Sequence, residues 1–163
     1  MPQSRQFWML RRVQAFVVSA ATMLLLGSAA QSYFVQEAWS SAAGHADGTA
    51  PVAIPLADRI SWAAHDVLGM VRLYGAATSI ALFVAFLIAG ITARLTGFRV
   101  VVFGVAGASA LFVLFTAMRS LLGTVGIFGA RGPAGLSAQM VVGAVAGVLF
   151  ARLTGAPKSP VLR

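Results

Sequence analysis

The sequence predicts an all-α fold, an integral membrane four-helix bundle with both termini in the cytoplasm. The composition is the first reason: 59% of the 163 residues are hydrophobic and only 10% are charged, far from the balance of a soluble domain. The second is that four long segments contain no charged residue. The third is that basic residues flank these segments unequally on the two sides, which is a topology signal.

The first predicted span covers residues 13–35, after a basic and aromatic start. About 20 apolar residues in a helix cross a bilayer core roughly 30 Å thick, so this segment is long enough. A secretory signal peptide is the alternative, because Ser28-Ala29-Ala30 resembles a cleavage site and residues 1–30 would then be removed. Apolar and aromatic residues continue to position 35, which favours a retained helix.

Residues 36–72 are predicted to form a periplasmic or extracellular connection followed by an interfacial helix. Glycine, proline and small residues punctuate 37–55, where little periodicity is visible. Pro55 suits the first turn of a helix. We therefore expect one long helix over Asp58 to Arg94, which lies at the membrane surface first and then forms the second span, 73–93.

The third and fourth spans are predicted at 100–118 and 136–151. The link between the second and third spans is so short that they must form an antiparallel hairpin. Glycine occupies every third position from 123 to 135, which predicts a loop near the interface. Four spans use nearly the whole chain, so residues 1–163 form a single membrane domain.

Charge distribution predicts the orientation. Eight of the 12 basic residues fall on the side that holds both termini, and every acidic residue falls on the other side. This asymmetry places the termini in the cytoplasm. Arginine dominates over lysine and the chain is rich in alanine and glycine, a codon habit typical of GC-rich bacteria, so we expect a multi-pass protein of the bacterial inner membrane. The eight residues are Arg5, Arg11, Arg12, Arg94, Arg99, Arg152, Lys158 and Arg163.

A short motif recurs along the chain. Residues 93–97 and residues 151–155 both read Ala-Arg-Leu-Thr-Gly, each at the cytoplasmic end of an even-numbered span. Two parallel-repeat helical hairpins would explain the recurrence. The alternative is convergence, since these residue types are common here and suit helix ends.

Small residues at helical spacing predict close helix packing. In lipid, helices associate through backbone approach at small side chains because the hydrophobic drive is weak. These ridges serve either the bundle itself or docking on another subunit. They comprise Ala77, Ala81, Ala85 and Ala89, the pair Gly104 and Ala108, and the G-x-x-x-G pair Gly143 and Gly147.

A polar stripe precedes the second span. Asp58, His65 and Arg72 are seven residues apart, with Trp62 near the same line, so they share one helix face. This face is either a ligand or partner site with His65 as its pH-sensitive group, or a solvated interfacial surface. Gln139, inside the fourth span, is expected to make one interhelical hydrogen bond.

Nothing in the sequence predicts catalysis. Nucleophile–base pairs, phosphate-binding loops and H-E-x-x-H are missing from the sequence, cysteine is absent, and neither histidine lies at membrane depth to ligate haem. We expect no cofactor, no metal and no nucleic-acid partner. The partners expected are the lipid bilayer and either other membrane subunits or a second copy.

Three functions follow as hypotheses. The first is a non-catalytic accessory, assembly or scaffold subunit that packs against a larger membrane complex. The second is a small homo-oligomeric channel or exporter lined by Ser, Thr and Gln. The third is a periplasm-facing sensor that uses the Asp58, His65 and Arg72 face.

Overall fold

The computed structural model describes residues 3–46, 50, 53–125 and 128–155, and within them the fold is all-helical. Four helices are long and apolar enough to cross a membrane, as the sequence predicts. Lys158 and Arg163, which contribute to the predicted orientation, lie outside the described residues.

Helix α1, Gln3–Ala46, is the longest element, with 44 residues. At 1.5 Å per residue it is about 66 Å long and exceeds a bilayer core of roughly 30 Å. The prediction of an irregular segment directly after residue 36 was wrong, because the helix continues for ten more residues. This end of α1 packs on the next helix through Gln36 and Trp39. The tertiary contact therefore outweighs the weak helical preference of the small and polar residues in the segment.

The predicted long helix from Asp58 to Arg94 is confirmed, with one irregularity. Helix α2, Leu56–Met70, passes into a π-helical turn, Val71–Gly75, and then into α3, Ala76–Thr96. The wider π turn is a local departure of the kind often found at functional positions. Here it carries Tyr74, whose side chain is only 4% exposed, into the interior of the bundle.

The third and fourth spans correspond to α4, Arg99–Leu122, and α5, Pro133–Leu153. Gly97, with φ of 75°, ends α3 in the left-handed conformation that glycine tolerates, and α4 begins two residues later. This is the antiparallel hairpin that the short link predicts. Between α4 and α5, the described residues 123–125 and 128–132 contain no spanning helix, and Phe128–Ala130 form a 3₁₀ turn.

The four spanning helices form a ring in the order α1, α5, α4, α3, with α2 lying on α1. The α4–α5 interface is the most extensive and brings two backbones together at glycines. The ring closes where Phe16 of α1 meets Phe83 and Phe86 of α3, with ring centroids 5.8 and 6.3 Å apart. Phe86 also stacks on Phe150, so aromatic side chains fill the centre.

Two arginines hold the C-terminal end of α5. The Arg11 Nε donates to the Leu153 carbonyl at 3.1 Å, and the Arg99 guanidinium donates to the Ala151 carbonyl and the Thr154 hydroxyl. The last carbonyls of a helix lack partners within the helix and carry partial negative charge. Cationic donors therefore stabilise this end.

The two copies of the Ala-Arg-Leu-Thr-Gly motif share one local contact and differ otherwise. In each, the threonine hydroxyl donates to the carbonyl four residues earlier. In the first copy, Gly97 ends α3 with a positive φ, whereas in the second copy α5 ends at Thr154 with φ of −100°. Thr96 is exposed and Thr154 is buried. The hairpin α4–α5 is joined by glycine contacts and the pair α1–α3 by phenylalanines, so the structure does not show a repeat.

Candidate functional site: a polar cleft and an apolar groove

The residues predicted as a ligand or partner face do not form one site. Asp58, Trp62 and His65 lie on α2, Arg72 lies in the π turn, and all four side chains are exposed. Only Trp62 and His65 line a common cavity. The seven-residue spacing placed these residues on one helix face, but it did not identify which residues of the helix face α1.

The cavity is a cleft between α1 and α2 with a volume of about 270 Å³. At about 30 Å³ per water molecule, that is room for a small organic molecule. Four of the six residues that line the cleft, Gln36, Ser61, His65 and Asp66, have polar side chains. The six residues are Val35, Gln36, Ser61, Trp62, His65 and Asp66.

Hydrogen bonds fix the walls of this cleft. The Ser32 hydroxyl donates to Asp66 Oδ2 at 2.5 Å, and Gln36 Nε2 donates to the Arg59 carbonyl at 3.0 Å. At the same level Trp39 and Trp62 meet edge to face, with centroids 5.7 Å apart. These contacts bind α1 to α2, and they hold Asp66 in one orientation.

A second polar group lies deeper, where α1, α5 and the π turn meet. The Tyr74 hydroxyl donates to Gln139 Oε1 at 2.7 Å, and Gln139 Nε2 donates to the Gly27 carbonyl at 2.9 Å. Gly27 has no space for a side chain, since an added Cβ would lie 2.3 Å from the tyrosine oxygen. Gln139 thus makes two interhelical hydrogen bonds rather than the one expected.

Sequence reasoning missed most of this polar interior. Ser28, Ser32, Gln36 and Ser40 recur every fourth residue along α1 and are all buried. Such a repeat places them on one helix face, which was the available signal. Among the described residues, the buried hydroxyls of Ser19 and Ser28 have no hydrogen-bond partner.

The predicted glycine ridges pack inside the bundle. A Cβ on Gly143 would lie 2.3 Å from the Gly107 carbonyl oxygen, and one on Gly147 would lie 1.9 Å from the Phe103 carbonyl oxygen. Gly104 is buried near Val148, while Ala108 is half-buried. The backbones of α4 and α5 are therefore in direct contact, and this ridge is not free for another protein.

The alanine ridge of α3 is placed differently. Ala77, Ala81 and Ala85 are half-buried and, with buried Ala89, line an open apolar groove between α3 and α4. Its volume is about 760 Å³. The opposite wall comes from α4 and combines small residues with larger apolar ones: Val101, Val102, Val105, Ala106, Ser109, Ala110, Val113, Leu114 and Ala117.

The described residues contain no group of three or more His, Asp or Glu side chains that could hold a metal ion. The titratable side chains of the cleft, His65 and Asp66, are too few for a closed metal site. Chemically, the cleft offers hydrogen-bond acceptors and an aromatic surface, and the groove offers apolar contact.

No protein-family model, no curated protein and no solved structure matches the chain.

Proposed function

We propose that the protein is a non-catalytic subunit of a larger membrane complex, and that it binds a transmembrane helix of another membrane protein in the α3–α4 groove. The observation that carries this proposal is that the alanine ridge lines an open groove. The closest backbone contacts between helices use glycines of α4 and α5, whereas the alanines of α3 line an open groove.

The dimensions and chemistry of the groove suit a helix. The groove extends from Ala77 to Thr92 on α3, which corresponds to about 22 Å of helix and most of a bilayer core. Both walls carry small side chains, which permit close backbone approach between helices in lipid. The α4–α5 contact at Gly107 and Gly143 is an internal example of this packing mode.

The location belongs to the same proposal. We propose a bacterial inner membrane and cytoplasmic termini, because the basic residues concentrate at the end of the bundle that holds Arg11, Arg94, Arg99 and Arg152. The acidic residues Asp58 and Asp66 lie on α2, at the other end.

The homo-oligomeric channel is the second hypothesis, with less support. Its pore needs polar side chains on the outside of the bundle. Thr78 and Gln139 are instead buried inside it, while the groove presents only Thr92 and Ser109. A second copy in the groove would nevertheless fit the same small-residue packing.

Site-specific photocrosslinking in native membranes tests the proposal. A photoreactive side chain replaces Ala85, inside the groove, and in the control it replaces Gly90, which lies on the same helix outside the groove with nothing within 4 Å of an added Cβ. We expect an adduct with one foreign membrane protein from position 85 and none from position 90.

A steric variant completes the test. Ala85→Phe fills the groove and should abolish stoichiometric co-purification of that same protein, whereas Gly90→Phe should preserve it. Adducts to a second copy would favour the homo-oligomer. Adducts to lipid alone, or equal adducts from both positions, would contradict the proposed subunit role.

A further inference from the structure

We infer that the cleft between α1 and α2 binds a primary ammonium group, supplied either by a small soluble amine or by an aminolipid headgroup. This inference is independent of the groove, because the cleft is built from other helices. It assigns a ligand chemistry to Asp66, a residue that lies off the predicted polar stripe.

Asp66 provides the charge. Its carboxylate is half-buried in the cleft, and its one hydrogen bond comes from the Ser32 hydroxyl to Oδ2. Within the described part of the chain, no lysine, arginine or histidine forms an ion pair with it. A partly buried carboxylate is stabilised by a cation with N–H donors, and the cleft is the side from which such a cation reaches it.

Gln36 provides a second acceptor. The residue is only 3% exposed, and its Nε2 is committed to the Arg59 carbonyl. This bond fixes the amide, so that Oε1 is left without a donor among the described residues. The Ser61 hydroxyl and the His65 imidazole also line the cleft. The Asp66 carboxylate and Gln36 Oε1 are acceptors that suit the N–H donors of an ammonium group.

Trp62 provides an aromatic wall. It lines the cleft, and its contact with Trp39 restricts its orientation. Cations are attracted to the face of an indole ring, and tryptophan is the most favourable aromatic residue for this contact. A carboxylate together with an indole favours a cation over an anion or a neutral polyol.

The size of the cleft limits the ligand. A volume of about 270 Å³ holds ethanolamine or a short alkylamine, but not a peptide helix or a large cofactor. Trp62 and Trp39 are amphipathic residues of the type that lies at the headgroup level of a bilayer. A phosphatidylethanolamine headgroup and a free amine would therefore present the same ammonium group to this cleft.

Tryptophan fluorescence of the full chain in nanodiscs tests the inference. Trp8, at the opposite end of α1, is replaced by Phe so that the emission comes from Trp39 and Trp62 at the cleft. In phosphatidylglycerol nanodiscs we expect ethanolamine to change the emission saturably, and ethylene glycol, a neutral molecule of similar size, to have no saturable effect. Asp66→Asn should weaken ethanolamine binding by about tenfold or more.

The control is Asp58→Asn, which removes the same charge from the same helix at an exposed position outside the cleft and should leave binding unchanged. Asparagine at position 66 keeps an oxygen that can accept the hydrogen bond from the Ser32 hydroxyl, so the variant should still fold. The comparison of ethanolamine with ethylene glycol uses the unchanged cleft and does not depend on any variant. Equal responses to the two molecules, no saturable response, or equal effects of the two Asp→Asn changes would overturn the inference.

Phosphatidylethanolamine nanodiscs distinguish the two sources. If the lipid headgroup occupies the cleft, the ethanolamine response seen in phosphatidylglycerol should be strongly reduced. If a soluble amine is the ligand, the response should persist in both lipids. Either result supports ammonium binding and assigns its origin.

Discussion

Gly107→Ala should destabilise the bundle, whereas the same change at Gly90 should not. A Cβ on Gly107 would lie 2.0 Å from the Gly143 carbonyl oxygen, and ordinary van der Waals contact begins at 3.4 Å. The methyl group therefore forces the α4 and α5 backbones apart by about 1.4 Å, the difference between those two distances. Gly90 has nothing within 4 Å of the added atom.

The magnitude follows from two opposing effects. Overpacking of a close interface costs about 1–3 kcal/mol. Alanine favours a helix interior over glycine by roughly 0.5–1 kcal/mol. We therefore expect a net loss of up to about 2.5 kcal/mol in the free energy of unfolding at position 107, and a gain of about 0.5–1 kcal/mol at position 90.

Reversible unfolding by SDS in mixed micelles, followed by circular dichroism, measures both variants. The double variant Gly107→Ala/Gly143→Ala gives a further check, because each added Cβ meets the other residue's carbonyl oxygen. Once the first methyl has separated the helices, the second should cost less than it does alone. If Gly107→Ala is as stable as Gly90→Ala, the direct backbone contact between α4 and α5 is refuted.

Three further predictions concern the polar contacts. Tyr74→Phe leaves Gln139 Oε1 without its donor and should lower the free energy of unfolding by SDS by about 1–2 kcal/mol. The exposed control Tyr33→Phe should leave that free energy unchanged. Equal losses in the two variants would argue against the buried hydrogen bond. Arg99→Gln should cost about 1 kcal/mol because it weakens the contacts at the end of α5, and exposed Arg94→Gln serves as its control. Gln36→Ala should speed amide hydrogen exchange over residues 37–46 because it removes the bond to Arg59, and Gln14→Ala, at an exposed position, should not.

The presence of four spanning helices was predictable because long uncharged apolar segments define them. Pro55, Gly97 and Pro133 mark helix ends by the limits they place on the backbone. The helical segment 37–46 was not predictable in this way. Its small and polar residues have no strong local preference, and its packing on α2 depends on a helix that follows it in the chain.

The candidate sites were less predictable, because spacing identifies a helix face but not its neighbour. The ridge at Gly143 and Gly147 and the ridge at Ala81 and Ala85 have the same spacing of four residues. The first contacts α4 directly, whereas the second lines an open groove. Asp66 was missed for the same reason, since its contact with Ser32 depends on how α1 and α2 pack.

The groove between α3 and α4 is the feature to test for partner binding, because the polar and glycine residues of the other helices already have contacts within the chain. Gln139, on α5, has hydrogen-bond partners within the chain at both ends of its amide, so it exerts little demand for a second protein. The glycines of α5 are likewise occupied by α4. Ala81 and Ala85 line the groove and take no part in the close backbone contact between α4 and α5. Alanine at these positions leaves the groove open, and a helix from another protein is the occupant that we propose there.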